Sequence, residues 1–211
     1  MRAFESPWGH FQISVRRQTI KTSELIEIRW HGRGGQGAVT SAELIAQAAI
    51  AEGKYAQAFP SFGPERRGAP VMSFNRIDVG SPIRNRAGVT TPDIVVVLDP
   101  SLLNIGNVTS GLKTGGAIIL NTSKNANQFK DLTDKFVVAT VDATRIAREV
   151  LGMAIVNTTM LGAIVRTASF IRLGSLDEPL KARFGKLAEK NLAAMKRAYD
   201  ETSIKELSTV G

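Results

Sequence analysis

The feature of this sequence that most constrains its fold is a glycine-rich run, Gly32-Arg33-Gly34-Gly35-Gln36-Gly37. Residues 25–30 before it alternate apolar and polar side chains, which predicts a strand with one buried face. Residues 38–52 after it repeat apolar side chains at intervals of three and four, which predicts a helix, and Gly53 suits its C-terminal cap. A strand, a glycine loop and a helix in this order predict an α/β domain.

Later parts of the chain continue the alternation of strands and helices. Apolar runs rich in β-branched residues predict strands covered on both faces, as in a parallel sheet, over residues 94–98, 117–120 and 136–141. Helices are predicted over residues 158–170 and from Asp177, the predicted N-cap of a last helical stretch that Gly185 divides. After Glu201 the tail is polar, and we expect it to be frayed.

A hairpin-like region predicts antiparallel strands in addition to the parallel ones. Residues 71–77 predict a strand, and residues 81–86 predict a short partner strand beyond a turn. The predicted fold is therefore a three-layer α/β sandwich with a mostly parallel, mixed sheet and a glycine-rich strand–loop–helix start. We assign a single domain to residues 25–211 and an N-terminal extension to residues 1–24.

The glycine loop, residues 32–37, fits the pattern G-x-G-x-x-G, in which glycines allow positive φ angles and close approach of the backbone to a ligand. Free N–H groups at a helix start attract an anion, and the Arg33 guanidinium suits a phosphate. A Rossmann site expects an acidic residue about 20 positions further on, but residues 54–59 carry none. The loop also lacks the G-K-[ST] ending of a P-loop. The pattern favours an anionic ligand other than NAD, FAD or a magnesium nucleotide; a tight turn that binds nothing is the alternative.

A second loop, residues 60–70, is rich in proline and glycine and is here named the arginine loop. Its composition predicts that residues 54–69 form neither a regular helix nor a central strand. The loop carries Arg66 and Arg67 beside Glu65. These residues are suited to binding an anion or docking a partner chain, and equally to a solvated surface loop in which Glu65 pairs with an arginine.

Composition excludes several classes of chemistry. The chain has no cysteine and only two histidines, His10 and His31, so disulfides, thiolate metal sites and cysteine-ligated clusters are excluded and a zinc site is not expected. We find no serine triad or carboxylate pair, and predict no catalytic residue. The chain has a net charge of +8, but its basic residues are scattered rather than clustered, which does not favour nucleic-acid binding. No apolar run reaches the ~18 residues of a membrane span, and no signal peptide is evident, so we expect a cytoplasmic protein.

Four polar residues outside the two loops are further candidates for a functional role. His31 directly precedes the glycine loop, and we interpret it as a structural histidine rather than a ligand-binding one. Asp99 ends a predicted strand and precedes a proline, which favours a turn-forming role. Asn157 and Thr158 stand at a predicted helix start and are interpreted as N-capping residues.

Several segments resemble one known family, the gamma subunit of pyruvate:ferredoxin oxidoreductase and related 2-oxoacid:ferredoxin oxidoreductases. The likeness runs from about residue 28 to residue 199, and its two most specific segments contain the glycine loop and the arginine loop. The segments that carry it are residues 28–40, 59–71, 92–102 and 157–163. Residues 1–24 fall outside the resemblance.

The resemblance implies oxidative decarboxylation of a 2-oxoacid, most simply pyruvate, to acyl-CoA, with electrons passed to ferredoxin. It implies thiamine diphosphate and iron–sulfur clusters in partner subunits of the alpha, beta and delta types, and contact of this chain with coenzyme A. The implied coenzyme A residues are Gly32, Arg33, Gly34, Gly35, Gln36, Gly37, Thr40, Glu65, Arg66 and Arg67. The alternative is a stand-alone module that binds coenzyme A or a nucleotide.

Overall fold

The computed structural model describes residues 25–61, 68–105 and 107–207. The predicted N-terminal extension therefore lies outside the described residues. The strands are β1 Leu25–Arg33, β2 Tyr55–Pro60, β3 Pro70–Asp78, β4 Ile94–Val97, β5 Ala117–Asn121, β6 Val137–Val141 and β7 Ser203–Lys205. The α-helices are α1 Ala38–Ala51, α2 Leu102–Ile105, α3 Lys130–Thr133, α4 Ala143–Leu151, α5 Asn157–Ala168, α6 Asp177–Phe184 and α7 Ala188–Glu201.

The described strands form one mixed sheet in the order β2-β3-β1-β4-β5-β6-β7. Strands β1, β4, β5 and β6 are parallel neighbours, whereas β3 runs antiparallel to β1 and β2, and β7 runs antiparallel to β6. Helices cover both faces, so the predicted three-layer α/β sandwich with a mixed sheet is confirmed. No helix of the described residues is long and apolar enough to cross a membrane.

One face of the sheet, here called the helical face, carries the larger core. Helices α1, α4, α5, α6 and α7 contribute apolar residues to it, and Ile28 and Trp30 of β1 are fully buried beneath them. Helix α5 lies so close to α7 that a Cβ atom added to Gly162 would stand 2.0 Å from the carbonyl oxygen of Met195. The face is therefore closed by direct contact between helix backbones.

The opposite face has a smaller apolar cluster under the short helices α2 and α3. It is limited to the β4–β5–β6 half, where Val95 and Ile118 pack against Leu112. The β1–β3 half of the same face also carries charged side chains: Arg76 donates through Nε to Oε1 of Glu27 at 2.8 Å. Polarity therefore divides this face into an apolar half and a charged half.

The structure differs from the sequence predictions at several elements. Residues 81–86 form no strand, since Pro82 lacks an N–H and the segment is held by side chains: Gln57 Nε2 donates to the Ile83 carbonyl at 2.6 Å. Strand β2 was not predicted; it lies at the sheet edge, where its terminal Pro60 is tolerated. Helix α4 was also missed.

The C-terminal predictions were partly wrong. The tail after Glu201 is not frayed throughout, because strand β7 pairs with β6. Asp177 is the first residue of α6 rather than its N-cap, which is Leu176. The predicted break at Gly185 is confirmed, since a single turn of 3-10 helix separates α6 from α7 there.

Candidate functional site

The glycine loop connects β1 to α1 at the carboxyl end of the parallel strands. Gly35 and Gly37 have φ angles of 94° and 80°, in the left-handed region that favours glycine. A Cβ atom added to Gly37 would also stand 2.6 Å from Nδ2 of Asn157. Position 37 therefore requires glycine for two independent reasons, its backbone conformation and the approach of a second helix.

The start of α1 offers unpaired hydrogen-bond donors. Its N-cap is Gly37, which has no side chain to accept from the first turn. The N–H groups of Ala38, Val39 and Thr40 have no acceptor among the described residues. Thr40 is half-buried, and its hydroxyl makes no hydrogen bond within the described part of the chain. Together with the positive end of the helix dipole, free N–H groups of this kind favour a nearby anion.

The start of α5 adjoins the start of α1. The Ser41 hydroxyl lies 3.2 Å from the carbonyl oxygens of both Gly37 and Asn157, which joins the two helix starts. The N-cap of α5 is Val156, which makes no capping hydrogen bond through its side chain. The predicted N-capping role of Asn157 is therefore wrong: this residue lies against Gly37 instead.

Asn157 is only 5% exposed, and its Oδ1 is buried without a partner among the described residues. A buried amide oxygen without a hydrogen-bond partner costs free energy, so the exception at Asn157 needs a structural or functional explanation. Its neighbour Thr158 is not a cap either, because its hydroxyl donates to Oδ1 of Asn191 at 2.7 Å. The starts of α1 and α5 and the side-chain amide of Asn157 thus lie together beside Gly37.

The side chains of the glycine loop brace the loop. Arg33 donates through Nε to Oδ2 of Asp99 at 2.9 Å, through Nη1 to the Gly68 carbonyl and through Nη2 to the Ser101 hydroxyl. Gln36 accepts from the Arg33 N–H and donates to the same Asp99 oxygen at 3.1 Å. The Arg33 side chain is therefore engaged with Asp99, Gly68 and Ser101, and its predicted role in binding an anion stays a prediction.

Asp99 also forms the predicted turn. Its Oδ1 accepts from the backbone N–H and the hydroxyl of Ser101, at 2.9 and 2.6 Å. Burial alone would raise the pKa of Asp99, but hydrogen bonds from Ser101 and Gln36 and the Arg33 charge outweigh it, so the net shift of the pKa is downward. Asp99 is therefore an ionised anchor for Arg33.

The arginine loop adjoins the glycine loop at its C-terminal end. The Gly34 N–H donates to the Ala69 carbonyl at 2.9 Å, and the Gly68 N–H donates to the Gly34 carbonyl at 3.2 Å. Residues 62–67 lie outside the described residues, and so do the predicted binding residues Glu65, Arg66 and Arg67. The described contacts bring the C-terminal end of this loop to the glycine loop.

His31 is not part of the glycine-loop surface. Its Nε2 accepts from Nε of Arg29 at 3.0 Å on the charged half of the opposite sheet face. Burial, and secondarily the Arg29 charge, lower the pKa of His31 to about 4. The imidazole is therefore neutral near pH 7, consistent with the structural role interpreted from the sequence.

The arrangement presents backbone donors of the kind that bind an anion. No group of three or more metal-ligating side chains occurs within residues 25–61, 68–105 and 107–207. Sequence reasoning assigned Asp99 to a turn and Asn157 to a helix cap, and it missed the contacts that bring them to the glycine loop. Asp99 carried a usable signal, because it ends a parallel strand beside β1, where loops build ligand crevices. Asn157 had none, since 116 positions separate it from Ser41.

The sequence of the chain is similar to those of known proteins. A family model described as pyruvate ferredoxin/flavodoxin oxidoreductase matches residues 27–201. The chain is 50% identical over 186 residues to the common gamma subunit of pyruvate/ketoisovalerate oxidoreductases from Pyrococcus furiosus, covering 87% of this chain and 100% of that one. It is 53% identical over 178 residues to pyruvate synthase subunit PorC from Methanothermobacter thermautotrophicus, covering 84% of this chain and 96% of that one.

A solved structure agrees with these sequence matches. The crystal structure of pyruvate oxidoreductase subunit PORC from Thermotoga maritima superposes with a TM-score of 0.75 at 37% identity, covering 87% of this chain and 100% of that one. The family model spans most of the chain, and the similar proteins match along nearly their whole length. The chain therefore belongs to the pyruvate ferredoxin/flavodoxin oxidoreductase family, as a gamma-type subunit of a multi-subunit oxidoreductase.

Proposed function

We propose that this chain is the gamma subunit of a cytoplasmic pyruvate:ferredoxin oxidoreductase and that its glycine loop binds the phosphates of coenzyme A. The partners would be subunits of the alpha, beta and delta types, with ferredoxin as the electron acceptor of the complex. The observation that carries the site is the uncapped start of α1, where three consecutive N–H groups lack acceptors among the described residues.

Coenzyme A fits this surface better than a dinucleotide does. Its phosphates need backbone donors and positive potential, which the starts of α1 and α5 supply together. It does not require the acidic ribose partner that residues 54–59 lack. A net charge of +8 also favours approach of a polyanion. Thr40 and Asn157 are the side chains we add to the backbone donors, as hydrogen-bonding groups beside the phosphates.

The remaining chemistry of the reaction falls to other chains. Thiamine diphosphate, when bound in a partner subunit, supplies the carbanion chemistry of decarboxylation. Iron–sulfur clusters are held by cysteine thiolates, and this chain has no cysteine. The part left to the gamma subunit is to hold coenzyme A in position for acyl transfer, so we expect it to be inactive alone.

The choice of 2-oxoacid is not expected to depend on this chain. The Pyrococcus furiosus relative is named as common to pyruvate and ketoisovalerate oxidoreductases, so one gamma subunit serves two substrates there. A subunit that recognises coenzyme A rather than the 2-oxoacid could be shared in this way.

Anaerobic purification of the tagged full chain from its host tests the assembly. We expect partner subunits carrying thiamine diphosphate and iron–sulfur clusters, and coenzyme A-dependent oxidation of pyruvate coupled to reduction of ferredoxin. A lone chain that binds coenzyme A without such partners would instead support the stand-alone binding module.

Calorimetric titration of coenzyme A into the complex tests the site. Gly37→Ala should weaken binding at least about tenfold, because the new methyl group would displace Asn157 from the helix starts. Gly53→Ala is the matched control, since Gly53 has a φ angle of 81° but nothing within 4 Å of an added Cβ. Equal affinities for the two variants would contradict the proposed site.

A second pair of variants tests the contribution of Asn157. Asn157→Asp preserves shape and adds a negative charge beside the proposed phosphates, so we expect binding to weaken about tenfold. Asn127→Asp adds the same charge at an exposed position elsewhere on the surface and should leave the affinity unchanged. An unaffected Asn157→Asp variant would remove this residue from the site while leaving the backbone donors in place.

A further inference from the structure

A pocket of about 520 Å³ opens on the charged half of the opposite sheet face, away from the helical core. Phe59, Met72 and Phe74 contribute to its apolar wall, with the two phenylalanine rings 5.3 Å apart between centroids. Val89, in the loop between β3 and β4, also lines it and is 3% exposed. The volume lies within the range of small-molecule sites. We name this cavity the Arg29 pocket, after the buried cation that lines it.

Arg29 is 7% exposed and has only neutral partners among the described residues. Its Nε donates to His31, and its Nη2 donates to the carbonyls of Val108 and Ser110, at 3.0 and 2.6 Å. Nη1 donates to no described residue. Burial of the guanidinium lowers its pKa from the usual value, and no carboxylate of the described residues pairs with it. A buried charge without a counter-ion is costly, so this arrangement favours an anion entering the pocket.

Two carboxylates, one on β1 and one just before β4, already pair with other cations. Glu27 pairs with Arg76 at 2.8 Å, and Asp93 pairs with Lys113 at 2.8 Å. The described lining of the pocket contains no acidic side chain, and Arg86 adds a second positive charge. The pocket therefore combines an apolar wall with a cationic wall whose charge the described residues leave unbalanced.

We propose that the Arg29 pocket binds a small monocarboxylate with a compact apolar tail. The carboxylate would accept from Nη1 of Arg29, and the tail would lie against Phe59, Met72 and Phe74. A single negative charge is the appropriate match, because Arg29 is the one buried cation of the described lining and its free terminal nitrogen can pair with one carboxylate, whereas Arg86 is exposed to solvent. This site lies on the charged sheet face rather than at the helix starts beside Gly37, so it goes beyond the proposed coenzyme A function.

Titration of the full chain with three six-carbon probes tests whether binding needs both the negative charge and the apolar tail. Sodium hexanoate should bind at least about tenfold more tightly than 1-hexanol, because only the carboxylate forms a charge-assisted hydrogen bond with Arg29. Hexylamine should not bind. Equal binding of hexanoate and 1-hexanol would overturn the proposal, as would binding of hexylamine.

A variant that fills the pocket tests its location without removing Arg29, whose bonds to residues 108 and 110 also support the fold. Met72→Trp should weaken hexanoate binding at least about tenfold. Met153→Trp is the matched control, since Met153 is exposed and does not line the pocket, and it should leave binding unchanged. Unchanged binding in Met72→Trp, with its melting temperature retained, would overturn the proposal.

Addition of saturating coenzyme A separates the two sites. We expect the hexanoate affinity to be unchanged, since the Arg29 pocket and the helix starts are distinct surfaces. Direct competition would overturn the proposal by making the pocket part of the coenzyme A site. Failure of coenzyme A to bind at all would contradict the proposed function while leaving the hexanoate result to be judged on its own.

Discussion

The two faces of the sheet differ in how completely apolar side chains cover them. The helical face is sealed by five helices, with residues such as Trp30 and Leu161 fully buried. The opposite face has its apolar cluster over β4, β5 and β6, and its other half carries Glu27, Arg29 and Arg76 beside the apolar wall of the Arg29 pocket. Hydrophobic burial scales with area removed from water, so the helical face supplies most of the stability. The charged half of the opposite face is therefore available for recognition at little cost to the core.

The strongest test of this comparison is to create equal cavities on the two faces. Leu161→Ala on the helical face should cost about 4 kcal/mol, whereas Leu112→Ala under the short helices should cost about 2 kcal/mol. Leu161 is 0% exposed among packed helices, and Leu112 is 8% exposed in a loop that can relax. Urea unfolding of both variants measures the difference. Equal losses would mean that the two faces support the fold equally.

A second test overpacks the helical face. Gly162→Ala gains about 1 kcal/mol of helix propensity, but its methyl group would meet the Met195 carbonyl at 2.0 Å. The steric cost is larger, so we expect a net loss of about 3 kcal/mol. Gly174→Ala is the control, because nothing lies within 4 Å of its added Cβ. Thermal unfolding distinguishes them; a stable Gly162→Ala protein would show that α5 and α7 can separate at little cost.

A third test concerns the junction of the helix starts, where the helical core reaches the proposed ligand. Ser41→Ala removes the hydroxyl shared by Gly37 and Asn157 and should cost about 1 kcal/mol. Thr167→Ser retains a hydroxyl near the Ala163 carbonyl and serves as a mild control. Coenzyme A affinity should fall only in Ser41→Ala. A fall in stability without a fall in affinity would assign the Ser41 hydroxyl to the core alone.

The smallest expected effect is on the charged half of the opposite face, and it depends on pH. The pKa of His31 is lowered to about 4, below its unfolded value of about 6.5, so the unfolded chain binds the proton first as the pH falls. The stabilising contribution is present above pH 6.5 and is lost between pH 6.5 and 4. Since His31 is half-buried, solvent screening keeps the effect modest.

His31→Gln isolates this contribution. The variant retains a hydrogen-bond acceptor for Arg29 but does not titrate, so its urea midpoint should change less between pH 7 and pH 5 than that of the wild type. Glu52, whose pKa is lowered to about 2 against burial by hydrogen bonds from Lys54 and Ser175, loses its contribution only at lower pH. Parallel pH curves for His31→Gln and the wild type would contradict the assignment.

Sequence patterns predicted the elements whose signal is local. The alternating residues of β1, the periodic residues of α1 and the apolar runs of β4, β5 and β6 all formed the expected structures. Strand β2 was missed because its sequence borders the prolines of the arginine loop, and β7 because three polar-flanked residues carry no clear period. Their pairing depends on neighbours supplied by β3 and β6.

The same distinction applies to the sites. The order of residues 32–37 determined where the backbone could turn left-handed and where free N–H groups would stand, because glycine conformation and helix starts are local properties. Tertiary structure alone decided that Asp99 pairs with Arg33, that Asn157 meets Gly37, and that Arg29 is buried with no carboxylate partner in the described part of the chain. These contacts join residues distant in the chain, and their energies depend on packing and local charge that no single segment contains.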